Sequence, residues 1–195
     1  LLFLINEKEG LIEGKMGIGP ESEEEANQMW TQIEEEKMNL DDLISVYKTS
    51  NGVLSTGFSS QVQHLKVSLH DKNENLLTLA VSEGMPLRLT KETLQNYKNA
   101  PLLQMLNSDE IVLIPLKAKD KVNGLIVADN FITKKPITKD DLRMLTMLAN
   151  QAGLAIENSQ LYEKTVMLAH TDSLTELWNH GYFQYILQTE LETAK

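Results

Sequence analysis

Apolar residues fall in short blocks and alternations through the first two thirds of the chain, then recur every three or four positions towards its end. Residues 1–6 and 11–18 predict two strands around a turn at Lys8-Glu9-Gly10, hence a hairpin, and Gly19-Pro20 stops the second strand. From residue 21 onward Ala26, Met29, Trp30 and Ile33 recur at helical spacing. Further helices are expected over residues 40–48 and near residues 53–65, separated by Ser50-Asn51-Gly52. A helix over about residues 75–82 should close at Gly84, which suits a C-terminal cap. Residues 86–90 read as a short strand, and residues 93–106 as mixed helix and loop around Pro101.

The clearest strands are residues 111–116 and 122–129, both rich in β-branched side chains and joined by the polar turn Lys119-Asp120-Lys121. Thr138 is a good helix N-cap, with Asp141 three residues on to complete a capping-box-like start. In the helix beyond it, Leu142, Leu145, Ala149, Ala152 and Ile156 form one apolar stripe. The chain has one glycine there, Gly153, and no proline before His170. About 32 residues at 1.5 Å rise give roughly 48 Å, more than one sheet needs as cover. The excess, from about residue 158, is expected to be a connector, and Ser159, Tyr162, Val166 and Ala169 make it a weak helix-pairing stripe at most.

Composition narrows the function. With 42% apolar and 24% charged residues the chain reads as a soluble globular protein of one full domain plus part of a second. No apolar run approaches the roughly 20 residues that span a bilayer, and the opening L-L-F-L-I is too short for a signal peptide. No membrane contact is expected. A net charge of −10 argues against a nucleic-acid partner, since a polyanion would be repelled. The acidic clusters at residues 21–25 and 34–36 read as solvated helix faces. The absence of cysteine excludes thiolate metal sites, disulfides and a cysteine-linked chromophore, and it fits a cytoplasmic protein.

Catalytic motifs are wanting. Gly17-Ile18-Gly19-Pro20 lacks the third glycine and the Lys-Ser/Thr of a phosphate loop, so it is read as a turn. His64 and His70 have no partner at ligand spacing and are assigned to surface or loop, with no metal site expected. His170 and His180 are read as structural. There is no Gly-x-Ser-x-Gly.

Taken together, I-P-L at residues 114–116, N-G-L-I-V-A-D-N at 123–130, P-I-T-K-D-D-L at 136–142 and A-N-Q-A-G-L-A-I-E-N-S-Q-L-Y-E at 149–163 resemble a GAF domain. The resemblance implies an α+β fold, with a central antiparallel sheet, helices on both faces and a long C-terminal signalling helix. It implies a domain over residues 1–157 whose opening helix does not precede Leu1, leaving residues 1–5 open to aberrant pairing. It also implies a small-molecule pocket lined by Leu87, Leu89, Tyr97, Leu102, Leu103 and Leu106. These are apolar enough to be a filled core instead. The Asn-Lys-Phe-Asp-Glu set of cyclic-nucleotide-binding members is not recognisable.

Past a connector over residues 158–171, D-S-L-T-E-L-W-N-H-G-Y-F at residues 172–183 resembles the opening of a GGDEF domain, the diguanylate cyclase fold that makes cyclic di-GMP from two GTP. Asp172, Leu174, Thr175, Leu177, Asn179 and Phe183 match the pattern. Glu176 and His180 replace the usual glycine and arginine. The catalytic signature and its metal-binding aspartates are not in residues 172–195, so this fragment is expected to carry no cofactor and no activity of its own, with Mg2+ and GTP belonging to the rest of the output domain. The resemblance implies a homodimer through the long helix, including Leu142, Leu145, Ala149, Ala152, Ile156, Ser159, Tyr162 and Val166. The expected function is a regulatory sensor whose signal changes how two output domains meet. The alternative is a ligand-free dimerising spacer.

Overall fold

The structure is a computed structural model. It describes every residue except 21, 40, 43, 44, 46–55, 71–74, 98, 99, 107, 173, 176, 194 and 195. The chain forms two compact units, Leu1–Gly153 and Leu154–Lys195.

The first unit is built on a six-stranded antiparallel sheet, in which β1 (Leu2–Asn6), β2 (Leu11–Met16), β3 (Lys66–Ser68), β4 (Leu87–Thr90), β5 (Glu110–Ala118) and β6 (Lys121–Asp129) take the order β3-β2-β1-β6-β5-β4. The expected hairpin is present, with its second strand ending at Met16. Residues 1–5 are not left unpaired: β1 lies between β2 and β6, with Phe3 opposite both Gly14 and Leu125. Aberrant edge pairing is therefore ruled out by neighbours on both sides. The sheet edges are instead β3 and β4, and residue spacing did not reveal β3 because its three residues carry a single apolar side chain, Val67.

One face of the sheet carries the main core. Phe3, Ile12, Ile111, Leu113, Leu125 and Val127 pack with Val62 of α2 (Thr56–His64) and with Leu76, Leu77 and Ala80 of α3 (Leu76–Glu83). Leu94 of α4 (Lys91–Leu94) and Leu102 of α5 (Pro101–Met105) complete it. The helix α1 (Glu23–Glu35) is capped by Ser22, whose hydroxyl accepts from the Glu25 amide, and buries only Ala26. Gly84 ends α3 at φ 60°, as its sequence position predicts. The helix expected over residues 40–48, the break at residues 50–52 and the start of the one near 53–65 lie mostly outside the described residues.

The alternate side chains of β5, Val112, Ile114 and Leu116, are equally buried but stand outside that cluster. They belong to the opposite face, covered by the start of α6 (Lys139–His170). The closest approach is at Gly153, where a Cβ would stand 2.7 Å from the Lys117 carbonyl oxygen. Buried Asn123 donates its amide to the Gly153 carbonyl at 3.4 Å, while its Oδ1 has no partner among the described residues.

The expected capping box at Thr138 is present. The Thr138 hydroxyl accepts from the Asp141 amide at 3.1 Å, and the Asp141 carboxylate accepts from the Thr138 amide and hydroxyl. Those two groups on Thr138, hydroxyl first, hold the Asp141 carboxyl below its ordinary value. Upstream, the Glu110 carboxylate receives Arg88 and the Ile137 amide. Burial opposes its charged form, but these donors outweigh burial and lower its pKa.

Candidate functional site

Within the first unit a cavity of about 600 Å³ opens between the end of β6, the turn after it and α1. Residues 126–133 form one wall, and Met29 and Trp30 of α1 face it. Leu1, Ile18, Gly19 and Pro20 close one side, while Gln61 of α2, Met105 and Leu106 close another. Three residues of the segment read from sequence as a turn rather than a phosphate loop, Ile18, Gly19 and Pro20, thus line the cavity. Its volume lies in the range that holds a small organic molecule.

Among the described residues, Asp129 brings the only ionisable side chain to the lining. Its Oδ1 accepts from the Phe131 amide at 3.1 Å, which turns the chain sharply after β6. Asn130 fixes the far end of that turn, its amide donating to the Lys135 carbonyl at 2.9 Å. At the next residue beyond the lining, Lys134 is paired with Glu23 of α1 at 3.1 Å.

The six residues expected to line a pocket are brought together, but mainly as core. Leu102 and Leu106 are buried in the main cluster, with Leu87, Leu89, Tyr97 and Leu103 packed against it. Of the six, only Leu106 also lines the cavity. Among the lining residues that the sequence did not single out are Trp30, Phe131 and Asp129. They come from segments about 100 residues apart, so no local spacing links them.

In the first unit Ala149 is buried, and Leu142, Leu145 and Ala152 are half-buried. These four are used in covering the sheet. In the second unit Ile156 and Val166 are half-buried, while Ser159 and Tyr162 are exposed. A different stripe stands out there. Leu154, Leu161 and Leu168 are exposed at seven-residue intervals, with Asn158 and Thr165 between them in a four-three alternation. Met147, also exposed, precedes Leu154 by the same interval.

The Asp172–Asn179 motif organises the second unit. Asp172 Oδ1 accepts from the Leu174 amide, the Thr175 amide and the Thr175 hydroxyl, at 2.9–3.2 Å. These donors, with the Thr175 amide foremost, keep its carboxyl below the ordinary value. Thr171 bridges Trp178, and the Asp172 amide donates to the Leu177 carbonyl at 2.8 Å. Asn179 then caps α7 (His180–Thr193), its Oδ1 accepting from the Tyr182 amide at 3.0 Å. Leu174, Leu177 and Phe183 remain exposed.

His170 packs its ring on Tyr182, with centroids 4.1 Å apart, and His180 is exposed. His64 and His70 are exposed too, with His64 Nδ1 2.7 Å from the Ser60 carbonyl. Among the described residues no group of three or more His, Asp or Glu side chains could hold a metal ion. No helix among them is long and apolar enough to cross a membrane.

A family model for the GAF domain matches residues 31–156, well over half of the chain. The chain belongs to the GAF domain family. The GAF-B domain of DevS from Mycobacterium smegmatis is similar in structure, at 23% identity and a TM-score of 0.42, over 56% of this chain and 70% of that one. A second structure, of the second GAF domain of DevS from the same organism, aligns at 22% identity and the same TM-score, over 56% and 70% of the two chains. No curated protein matches the chain.

Proposed function

We propose that the chain is the regulatory sensor part of a cytoplasmic diguanylate cyclase-like protein, in which occupancy of the β6–α1 cavity is passed along α6 to a GGDEF output domain. The observation that carries this reading is the continuity of α6. The helix that covers the sheet as far as Gly153 runs on to His170 and ends directly in the Asp172–Asn179 motif. A helix shared in this way lets a change at the sheet reach the segment beyond it.

On this reading residues 1–157 are the sensor, 158–171 the connector and 172–195 the beginning of the output domain, whose GTP and Mg2+ sites would lie in the rest of the GGDEF fold. Two chains would pair in parallel, since cyclic di-GMP formation joins two GTP molecules. The exposed Leu154, Leu161 and Leu168 support such pairing, and Asn158 occupies the kind of interface position that fixes register in two-stranded coiled coils.

One observation favours a ligand-free spacer instead: the residues around Leu102 form filled core. Thermal unfolding of the chain against a metabolite and nucleotide panel separates the two. A ligand at a hundredfold excess over its Kd stabilises by about 2.7 kcal/mol. No shift from any member of the panel would leave the spacer reading in place.

A further inference from the structure

We propose that the β6–α1 cavity selects a small organic monocation, an amine or quaternary ammonium attached to an apolar or aromatic body. The inference rests on the sensor reading above and names the class of ligand. Among the described residues no Lys, Arg or His side chain lines the cavity, and Asp129 supplies its one ionisable side chain. One oxygen of that carboxylate takes the Phe131 amide, and among the described residues no basic side chain is paired with it. The amino group of Leu1 also senses Asp129, but it is committed to the Val127 carbonyl at 2.7 Å and burial lowers its pKa.

The neighbouring cation, Lys134, is held by Glu23. A phosphate or carboxylate entering here would shed its water beside a like charge, with no Lys, Arg or His side chain among the described lining residues to receive it. A cation meets the opposite situation. Trp30 and Phe131 bring aromatic surface to the same cavity as Asp129, and the quadrupole of an aromatic face attracts a cation placed over it. The net charge of −10 adds a long-range attraction of the same sign. Met29 and Met105 leave adaptable apolar surface for the rest of the molecule.

The test is calorimetric titration of the chain with three probes that share a benzyl group: benzyltrimethylammonium, benzyl alcohol and phenylacetate. The cation is expected to bind at least about tenfold more tightly than either other probe, by the strength of a single ion or cation–π contact. Asp129→Asn keeps the acceptor for Phe131 and should remove most of that advantage, leaving benzyl alcohol unaffected. If benzyl alcohol or phenylacetate binds as well as the cation, or if Asp129→Asn changes nothing, the choice of a cation is overturned while the cavity survives as a ligand site. If none of the three binds at millimolar concentration, the inference fails, while the sensor reading is decided separately by thermal unfolding against the metabolite and nucleotide panel.

Discussion

Asn179 donates its side-chain amide to the carbonyl of Ala169 at 2.7 Å. The same side chain caps α7 through the Tyr182 amide, and its backbone amide donates to the His170 carbonyl at 2.8 Å. One residue therefore satisfies an orphan carbonyl at the end of one helix and an orphan amide at the start of the next. The asparagine in the Asp-x-Leu-Thr-x-Leu-x-Asn motif thus has a structural cause that is independent of any output domain.

Replacing Asn179 by alanine should destabilise the second unit by about 1–2 kcal/mol, the usual cost of losing an N-cap together with a second hydrogen bond. Hydrogen exchange is the suitable probe. The Tyr182 and Phe183 amides should exchange faster in the variant, while amides of β5 and β6 should not change.

Gly153→Ala pits two effects against each other. Alanine gains about 1 kcal/mol of helix propensity, but its Cβ would meet the Lys117 carbonyl oxygen at 2.7 Å and the Leu116 carbonyl carbon at 2.8 Å. Backbone cannot yield as a side-chain tip can, and overpacking costs about 1–3 kcal/mol. Urea denaturation should show net destabilisation, and a gain in stability would mean that α6 does not sit so close to β5.

Glu13 links stability to pH. Its carboxylate accepts from Lys15 at 2.6 Å and from Lys66 at 3.1 Å, which lowers its pKa from 4.5 to about 2. Because the folded value lies below the unfolded one, its contribution is complete above pH 4.5 and is lost as pH falls towards 2. The urea midpoint of the native chain should exceed that of Glu13→Gln near neutrality, and the gap should close across that window. A constant gap down to pH 2 would show that these lysines do not perturb the group.

Leu161→Asp places a charge in the middle of the exposed series Leu154, Leu161 and Leu168. Light scattering at high concentration should give a dimer for the native chain and a monomer for the variant, with unchanged far-ultraviolet helicity near neutral pH. A native monomer would remove the parallel pairing from the proposed mechanism.

Much of the sheet was legible because β5 and β6 carry long β-branched runs around a polar turn, and α6 because Thr138 and Asp141 mark its start. Leu142, Leu145, Ala149 and Ala152 were legible as a stripe that could either cover the sheet or pair with a second helix. Periodicity reports that a face is apolar, not what it faces. Attention to that stripe also hid the exposed one at Leu154, Leu161 and Leu168. The cavity was not legible, since Trp30 and Asp129 meet only through the fold. The helix α7 was not read from the sequence: only its first residues fall in the motif, and most of its apolar side chains remain exposed.

The central position of β1 bears on how the chain acquires its shape. Leu2 pairs with Ile126 and Phe3 with Leu125, so the middle seam of the sheet joins residues more than 120 positions apart. Such distant pairing is closed late and slowly. On a ribosome the first hairpin would wait for nearly the whole first unit to emerge before it gained its second neighbour, and during that interval Phe3 would offer a bare strand to chaperones or to other nascent chains.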